Sequence, residues 1–424
     1  MSEKSIDTIQ MRRTFLKGAA AIGAGSLLSA EQLYAQSAAK NLPPAVPEWM
    51  QRVGRGVVTE PYGKPSIHEQ NVVRRTVPWL TASPISSISF SPLHALKGII
   101  TPSSLHFERY HSGIPDINPD QHRLMVHGLC ENPLIFSMDD LMRFPSVSEI
   151  RFIECPANGG MEWRGAQMEA LQFTHGMLSC SEWTGVRLST LLAEVGVKPK
   201  AKWLLAEGAD GAAMARSIPI EKALDDVIVA YAQNGEMIRP EQGYPVRLVI
   251  PGWEGNTSIK WLRRLELGDQ PWHMREETSK YTDLMPDGSS RRFTWVQEAN
   301  SVVTSLCPEK PLKQKGYHEL EGIAWSGRGK IKQVDITLDG GVTWRAAKLK
   351  GQVLDKALSR FSFDWNWDGS PALIQSRAID ETGYVQPTLG QLRKVRGVNS
   401  VYHKNSIHTW QLLASGEVRN VQID

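Results

Sequence analysis

The chain has 424 residues, 41% hydrophobic and 22% charged, with 48 basic against 45 acidic side chains. That balance is ordinary for a globular protein long enough for two separate cores. It offers no basic surplus for nucleic acid or an anionic membrane, although local cationic patches can still receive a small anion.

In chain order, the first recognisable element is an export signal. Arg12 and Arg13 precede an apolar stretch from Ala19 to Ala30, and small residues suited to cleavage follow near Ala35 and Ala39. This is the pattern of a twin-arginine signal over residues 1–36. The apolar stretch is shorter than the roughly 20 residues that span a bilayer, so removal and no stable membrane anchor are expected. The twin-arginine route moves folded proteins, commonly after a cofactor is inserted, which places the chain in the periplasm. Residues 37–100, rich in Pro, Gly and Ser, read as an extended arm on the surface.

From residue 101 to about 290, short apolar runs alternate with helical patterns, as in an α+β domain with a mixed sheet. Leu188, Leu191, Leu192 and Val195 fall at helical spacing, which predicts a helix burying one face. The runs 227–231 and 246–250 read as strands, with Asn234-Gly235 as a hairpin signal after the first. From 295 to 424 short strands and turns take over. Val334, Ile336 and Leu338 alternate with polar residues before Asp339-Gly340-Gly341, predicting a hairpin that returns through 342–344. Further strands are expected at 359–366, 373–380 and 408–414. Their spacing suits an immunoglobulin-like sandwich.

Cys155 lies in ECPANGG at 154–160, a thiol in an Asn/Gly-rich turn after an apolar run. A thiolate selects soft or intermediate metals, and one Cys without a His/Cys cluster cannot close a structural zinc site. With Cys155 as a metal ligand, the other cysteines, Cys130, Cys180 and Cys307, are expected as buried thiols with at most one pair among them. No Cys-x-x-Cys-His occurs, so no haem is expected on this chain and electrons leave through another protein.

Four segments resemble, in order, the cofactor-binding segments of the sulfite oxidase family of molybdoenzymes: FERYH at 107–111, ECPANGG, SCSEWTGVR at 179–187, and GYPVRLVIPG at 243–252 followed by Lys260 and Trp261. Within the family the wording is closest to the molybdenum subunits of sulfane (sulfur) dehydrogenases of the Sox thiosulfate-oxidation system. The resemblance implies a molybdenum-molybdopterin cofactor held to the protein through Cys155. It implies pterin contacts from Phe107, Glu108, Arg109, Tyr110, His111, Asp210, Gln242, Arg247, Ser258, Ile259 and Lys260, and substrate contacts from Arg109, Trp183, Tyr281 and Arg396. It also implies a homodimer built on the second domain, within a heterotetramer with a c-type cytochrome, and a sulfur-carrier protein as substrate. The reaction implied is oxygen-atom transfer to sulfur.

Two positions depart from the family. Gln242 stands where His is frequent. Gly160 stands where sulfite oxidases carry arginine, five residues after the cysteine; losing that guanidinium and opening space there favours a larger sulfane species over free sulfite. The rivals are a direct sulfite dehydrogenase, a methionine-sulfoxide reductase of the same superfamily, and a non-catalytic periplasmic module that kept the fold.

Overall fold

The computed structural model describes residues 64–81 and 83–423. The expected export signal and most of the arm lie outside the described residues. Among the described residues, no helix is long and apolar enough to cross a membrane.

The first domain is built on two sheets. One is antiparallel, with strands Ser146–Glu154, Leu178–Arg187, Ile228–Gln233 and Glu236–Met237 in that spatial order; Arg247–Val249 also pairs with Ile228–Gln233. Asn234-Gly235 turns the chain between the 228–233 and 236–237 strands, with φ of 51° and 78°, as the hairpin signal predicts. The second sheet is mixed: Leu134–Phe136, Leu124–Gly128, Leu262–Gly268, Trp203–Gly208 and Ala215–Pro219, in which 124–128 runs parallel to 262–268.

The predicted helix spans Leu188–Val195 and buries all four spaced residues. Gly196 ends it at φ 68°, a left-handed conformation that costs glycine nothing. Its apolar face joins Val126, Leu204, Val229, Leu248 and Leu265 in one core. Each such fully buried aliphatic side chain contributes about 1.5–3 kcal/mol.

The second domain is a sandwich. Taking its nine strands in chain order, one sheet uses the first, second, sixth and fifth (Asn300–Val303, Gly316–Trp325, Ser359–Trp367, Lys348–Lys350). The other uses the fourth, third, seventh, eighth and ninth (Arg345–Ala346, Ile331–Thr337, Ala372–Asp380, Thr409–Leu412, Val418–Val421). This distribution is that of an immunoglobulin-like sandwich of seven strands with two added, a topology that composition alone does not fix. Trp325, Phe361, Ile336, Ile374 and Trp410 fill the space between the sheets.

Two expectations need correction. The hairpin after Thr337 does not return through 342–344: Val342 is exposed and pairing resumes only at Arg345–Ala346, because the Asp339 carboxylate accepts from the Thr343 amide and hydroxyl and closes a wider loop. The arm is not wholly superficial either. Ile88–Phe90 pairs with Glu108–Arg109, and Phe90 and Leu93 are buried.

Candidate active site

Cys155 follows directly on the end of strand Ser146–Glu154. Its backbone N–H donates to the Met177 carbonyl (3.0 Å), and its own carbonyl accepts from Asn158 N–H (2.8 Å), so the turn is held at both ends. Burial pushes the thiol up to about 11. The side chain sits where two chambers meet.

The inner chamber is a partly open cavity with about 70 Å³ of water-accessible space. Phe107, Arg109, Tyr110, His111, Asp210, Gln242, Arg247, Ser258, Ile259, Lys260 and Tyr281 all line it with Cys155, as the resemblance implies. Arg247 is buried and donates to three backbone carbonyls, those of Gln242 (2.8 Å), Leu248 (3.3 Å) and Ser258 (3.0 Å). Lys260 Nζ donates to the carbonyls of Arg109 (3.2 Å) and Glu241 (3.0 Å) and lies over the rings of Tyr110 and Trp261. Neither cation forms an ion pair among the described residues. Burial therefore pulls the Arg247 guanidinium down to about 9 and the Lys260 ammonium well below its usual range.

Two buried cationic side chains with no ion pair among the described residues, Lys260 feeling Glu108 and Asp210 only at longer range, make a site for an anion. Polar atoms without partners surround it. His106 donates from Nδ1 to the Phe107 carbonyl (3.1 Å), which leaves Nε2 a buried acceptor with no donor. The Asn256 amide nitrogen is likewise unpartnered, although its oxygen accepts from Arg216 (2.6 Å). Gln242 spends its amide nitrogen on the carbonyls of His106 and Phe107 and so fixes the backbone of the 107–111 segment. This chamber matches a phosphate-bearing group with a polar ring edge, which is the chemistry of molybdopterin.

The outer chamber shares Cys155 with the inner one and has about 480 Å³ of water-accessible space. Arg109, His111 and Tyr281 line both chambers. Tyr281 OH and His111 Nε2 are 3.3 Å apart. Burial raises the phenol above its usual range and lowers His111 to about 4, so both are neutral at neutral pH. Tyr281 holds φ 55°, a left-handed conformation that a bulky side chain rarely adopts, and its ring packs beside Tyr402 with centroids 5.2 Å apart.

Three expected residues stand elsewhere. Glu108 faces away from the inner chamber and pairs with Arg74 and the Ser89 hydroxyl. Trp183 is fully buried beneath the inner chamber, under the Arg247 guanidinium at 4.9 Å from the ring centre and edge-on to His106; it does not line the outer chamber. Arg396 is buried in an ion pair with Asp283 (3.2 Å), which also accepts from Ser400 Oγ (2.7 Å), and lines neither chamber. Gly160 does line the outer chamber, but the opening expected from its missing side chain is closed. A Cβ there would lie 2.5 Å from the Val401 carbonyl oxygen. Sequence reasoning missed His106 and the methionines of the outer wall.

Comparison with known proteins agrees with this geometry. A family model described as an oxidoreductase molybdopterin binding domain matches residues 111–275, and a Mo-co oxidoreductase dimerisation domain matches 291–410. The crystal structure of the sulfane dehydrogenase SoxCD from Paracoccus pantotrophus contains a chain 54% identical, covering 90% of this chain and 98% of that one, with a TM-score of 0.88. Human mitochondrial sulfite oxidase is 30% identical over 74% of this chain and 62% of its own length. An NADH nitrate reductase of Ulva prolifera is 30% identical over 69% of this chain and 38% of its own. The chain thus spans less than two thirds of the length of these two curated relatives. A molybdopterin-binding domain followed by a Mo-co dimerisation domain, and high identity over the full length of a solved relative, place this chain in the sulfite oxidase family of molybdopterin oxidoreductases.

Proposed function

We propose that this chain is the molybdenum subunit of a periplasmic dehydrogenase that oxidises sulfane sulfur carried on a partner protein and passes the electrons to a c-type cytochrome. The observation that carries the reading is the position of Cys155 between an inner chamber with two buried cations that form no ion pair among the described residues and an outer chamber open to a bulkier ligand. When bound, the cofactor supplies the two-electron oxidation and oxygen-atom transfer to sulfur, the oxygen coming ultimately from water.

The chain's own residues place and shield that chemistry. Cys155 gives the soft protein ligand to molybdenum. Lys260 and Arg247 hold the pterin phosphate, and His106 and Asn256 meet polar atoms of the pterin. Arg109 presents a planar guanidinium at the boundary of the chambers, suited to an oxygen on sulfur. The Tyr281–His111 pair, neutral at working pH, offers a hydrogen bond there without adding charge. The absence of a Cys-x-x-Cys-His sends the electrons to another subunit, and the dimerisation domain supports a homodimeric core. The twin-arginine pattern supports export in the folded, loaded state. The 54% identical relative is a sulfane dehydrogenase, which supports the substrate class.

The test is molybdenum content together with cytochrome c reduction by two substrates, glutathione persulfide and free sulfite. Stoichiometric molybdenum and faster turnover of the persulfide are expected. Faster turnover of sulfite would make the protein a sulfite dehydrogenase, and protein without molybdenum from a competent host would leave a non-catalytic module.

A further inference from the structure

The outer chamber is lined by two unlike kinds of side chain. Its lining includes three cations, Arg109, Arg275 and Lys280, and also Met161, Met168, Met177, Phe90 and Phe173, which pack together in one apolar cluster. Three thioethers beside a reaction centre follow no periodicity of the sequence, and the backbone holds each in place. The Met177 N–H donates to Asn158 Oδ1 (3.1 Å) and its carbonyl accepts from Cys155 N–H, which puts it next to the cysteine. The Met168 N–H donates to the buried Glu162 carboxylate (3.1 Å), and its carbonyl accepts from Asn420 of the sandwich (2.6 Å). Met161 sits half-buried in the short 3-10 turn Gly160–Arg164. Phe90 and Phe173 meet edge to face, with centroids 5.4 Å apart.

We propose that this methionine-aromatic wall is a subsite for divalent sulfur, and that it, rather than the glycine at 160, sets the preference for a sulfane compound over sulfite. A thioether is polarizable and donates no hydrogen bond, so it matches a soft, weakly hydrated sulfur atom. Sulfite and sulfate are strongly hydrated and need donors on every oxygen; against this wall their oxygens lose water and gain nothing. Gly160 cannot act as a simple switch because the Val401 carbonyl occupies the path of any side chain there. Met161, its neighbour, already lines the chamber. The proposal rests on the sulfane reading above and names the surface that recognises the sulfur.

The experiment is calorimetric titration of molybdenum-loaded enzyme in the absence of an electron acceptor, with dimethyl trisulfide as the divalent-sulfur probe and sulfate as the oxyanion probe. Wild-type protein should bind the trisulfide more tightly. Met161→Arg should weaken the trisulfide and strengthen sulfate, each by about tenfold, through one charge-assisted hydrogen bond and the loss of one thioether. The double change Met168→Leu with Met177→Leu keeps volume and removes sulfur, and should weaken the trisulfide about threefold while leaving sulfate unchanged. Tighter sulfate binding by the wild type, or a Met161→Arg enzyme of full molybdenum content whose ratio moves less than about twofold, overturns the subsite. Trisulfide binding as expected without oxidation of glutathione persulfide supports the subsite and faults the functional reading instead.

Discussion

Lys260→Met separates a cation kept for a ligand from one kept for the fold. Methionine has nearly the same length, so the cavity stays filled. In protein without cofactor, the change removes a donor from the carbonyls of Arg109 and Glu241, a loss of about 1–3 kcal/mol. It also ends the contacts with the Tyr110 and Trp261 rings, whose centres lie 4.3 and 4.5 Å from Nζ. Against this stands relief from burying an ammonium that has no ion pair among the described residues, a penalty of several kcal/mol per ion that Glu108 and Asp210 offset only in part. The two sides nearly cancel, and the stability of the apoprotein should change by less than about 2 kcal/mol. Cofactor retention has no such offset. A charge-assisted bond to phosphate is worth about 1.5–3 kcal/mol, so affinity should fall about ten- to a hundredfold. The assays are urea unfolding of the apoprotein, and molybdenum and released pterin in protein purified from a competent host. A variant that loses stability but keeps its molybdenum would show that Lys260 serves the fold, and the anion-site argument would fail with it.

Cys155→Ser should leave a folded protein that still contains pterin but has almost no turnover, since a hydroxyl is a poor ligand for a soft metal while the phosphate contacts persist; pterin content and cytochrome reduction read the two effects separately. Gly160→Ala should cost about 1–3 kcal/mol, because its Cβ would displace the Val401 carbonyl, and thermal unfolding measures it. The buried pair His175 and His408, rings 4.9 Å apart, has both imidazoles pushed below their usual range by burial, His175 to about 3. The unfolded chain then binds more protons below pH about 6.5, so the pair's stability is complete above that value and falls as pH descends toward 3. Between pH 7.5 and 5.5 the loss should be about 1.4 kcal/mol for His175, and His175→Phe should remove that share in urea unfolding at the two pH values.

Much of the inner chamber was legible in the sequence because its residues come in short contiguous segments whose backbone binds as a unit. What those segments do not declare is which way each side chain turns. In FERYH, the two-residue strand Glu108–Arg109 alternates its faces, so Arg109 lines the chamber while Glu108 meets Arg74 on the other side. Trp183 lies on a strand as well, and its position in a motif gave no warning that it would pack beneath Arg247. The outer wall was invisible for a different reason. Met161, Met168 and Met177 lie on a 3-10 turn, a loop and the start of a strand region, three settings with no shared period.

The same physics explains why a division of the chain near residue 290 understates the second domain. His403 donates its backbone N–H to the Pro156 carbonyl (2.7 Å), one residue from Cys155, and its ring meets Glu254 at 2.7 Å. Glu254 in turn pairs with Arg216 (3.1 Å), whose guanidinium lies 5.8 Å from the centre of the Tyr281 ring. Burial alone would raise the Glu254 carboxyl; Arg216 and His403 instead hold it at about 2, so it stays ionised through the working range. Removing one partner from such a buried pair leaves a bare charge and costs about 3–5 kcal/mol, far more than a surface contact between domains would. The segment 400–405 therefore belongs to the active site in energetic terms. Val401 closes the space at Gly160, Tyr402 packs on Tyr281, and His403 fixes the cysteine turn. A chain with the first domain alone would keep the pterin-binding segments but lose the wall that shapes the approach to Cys155.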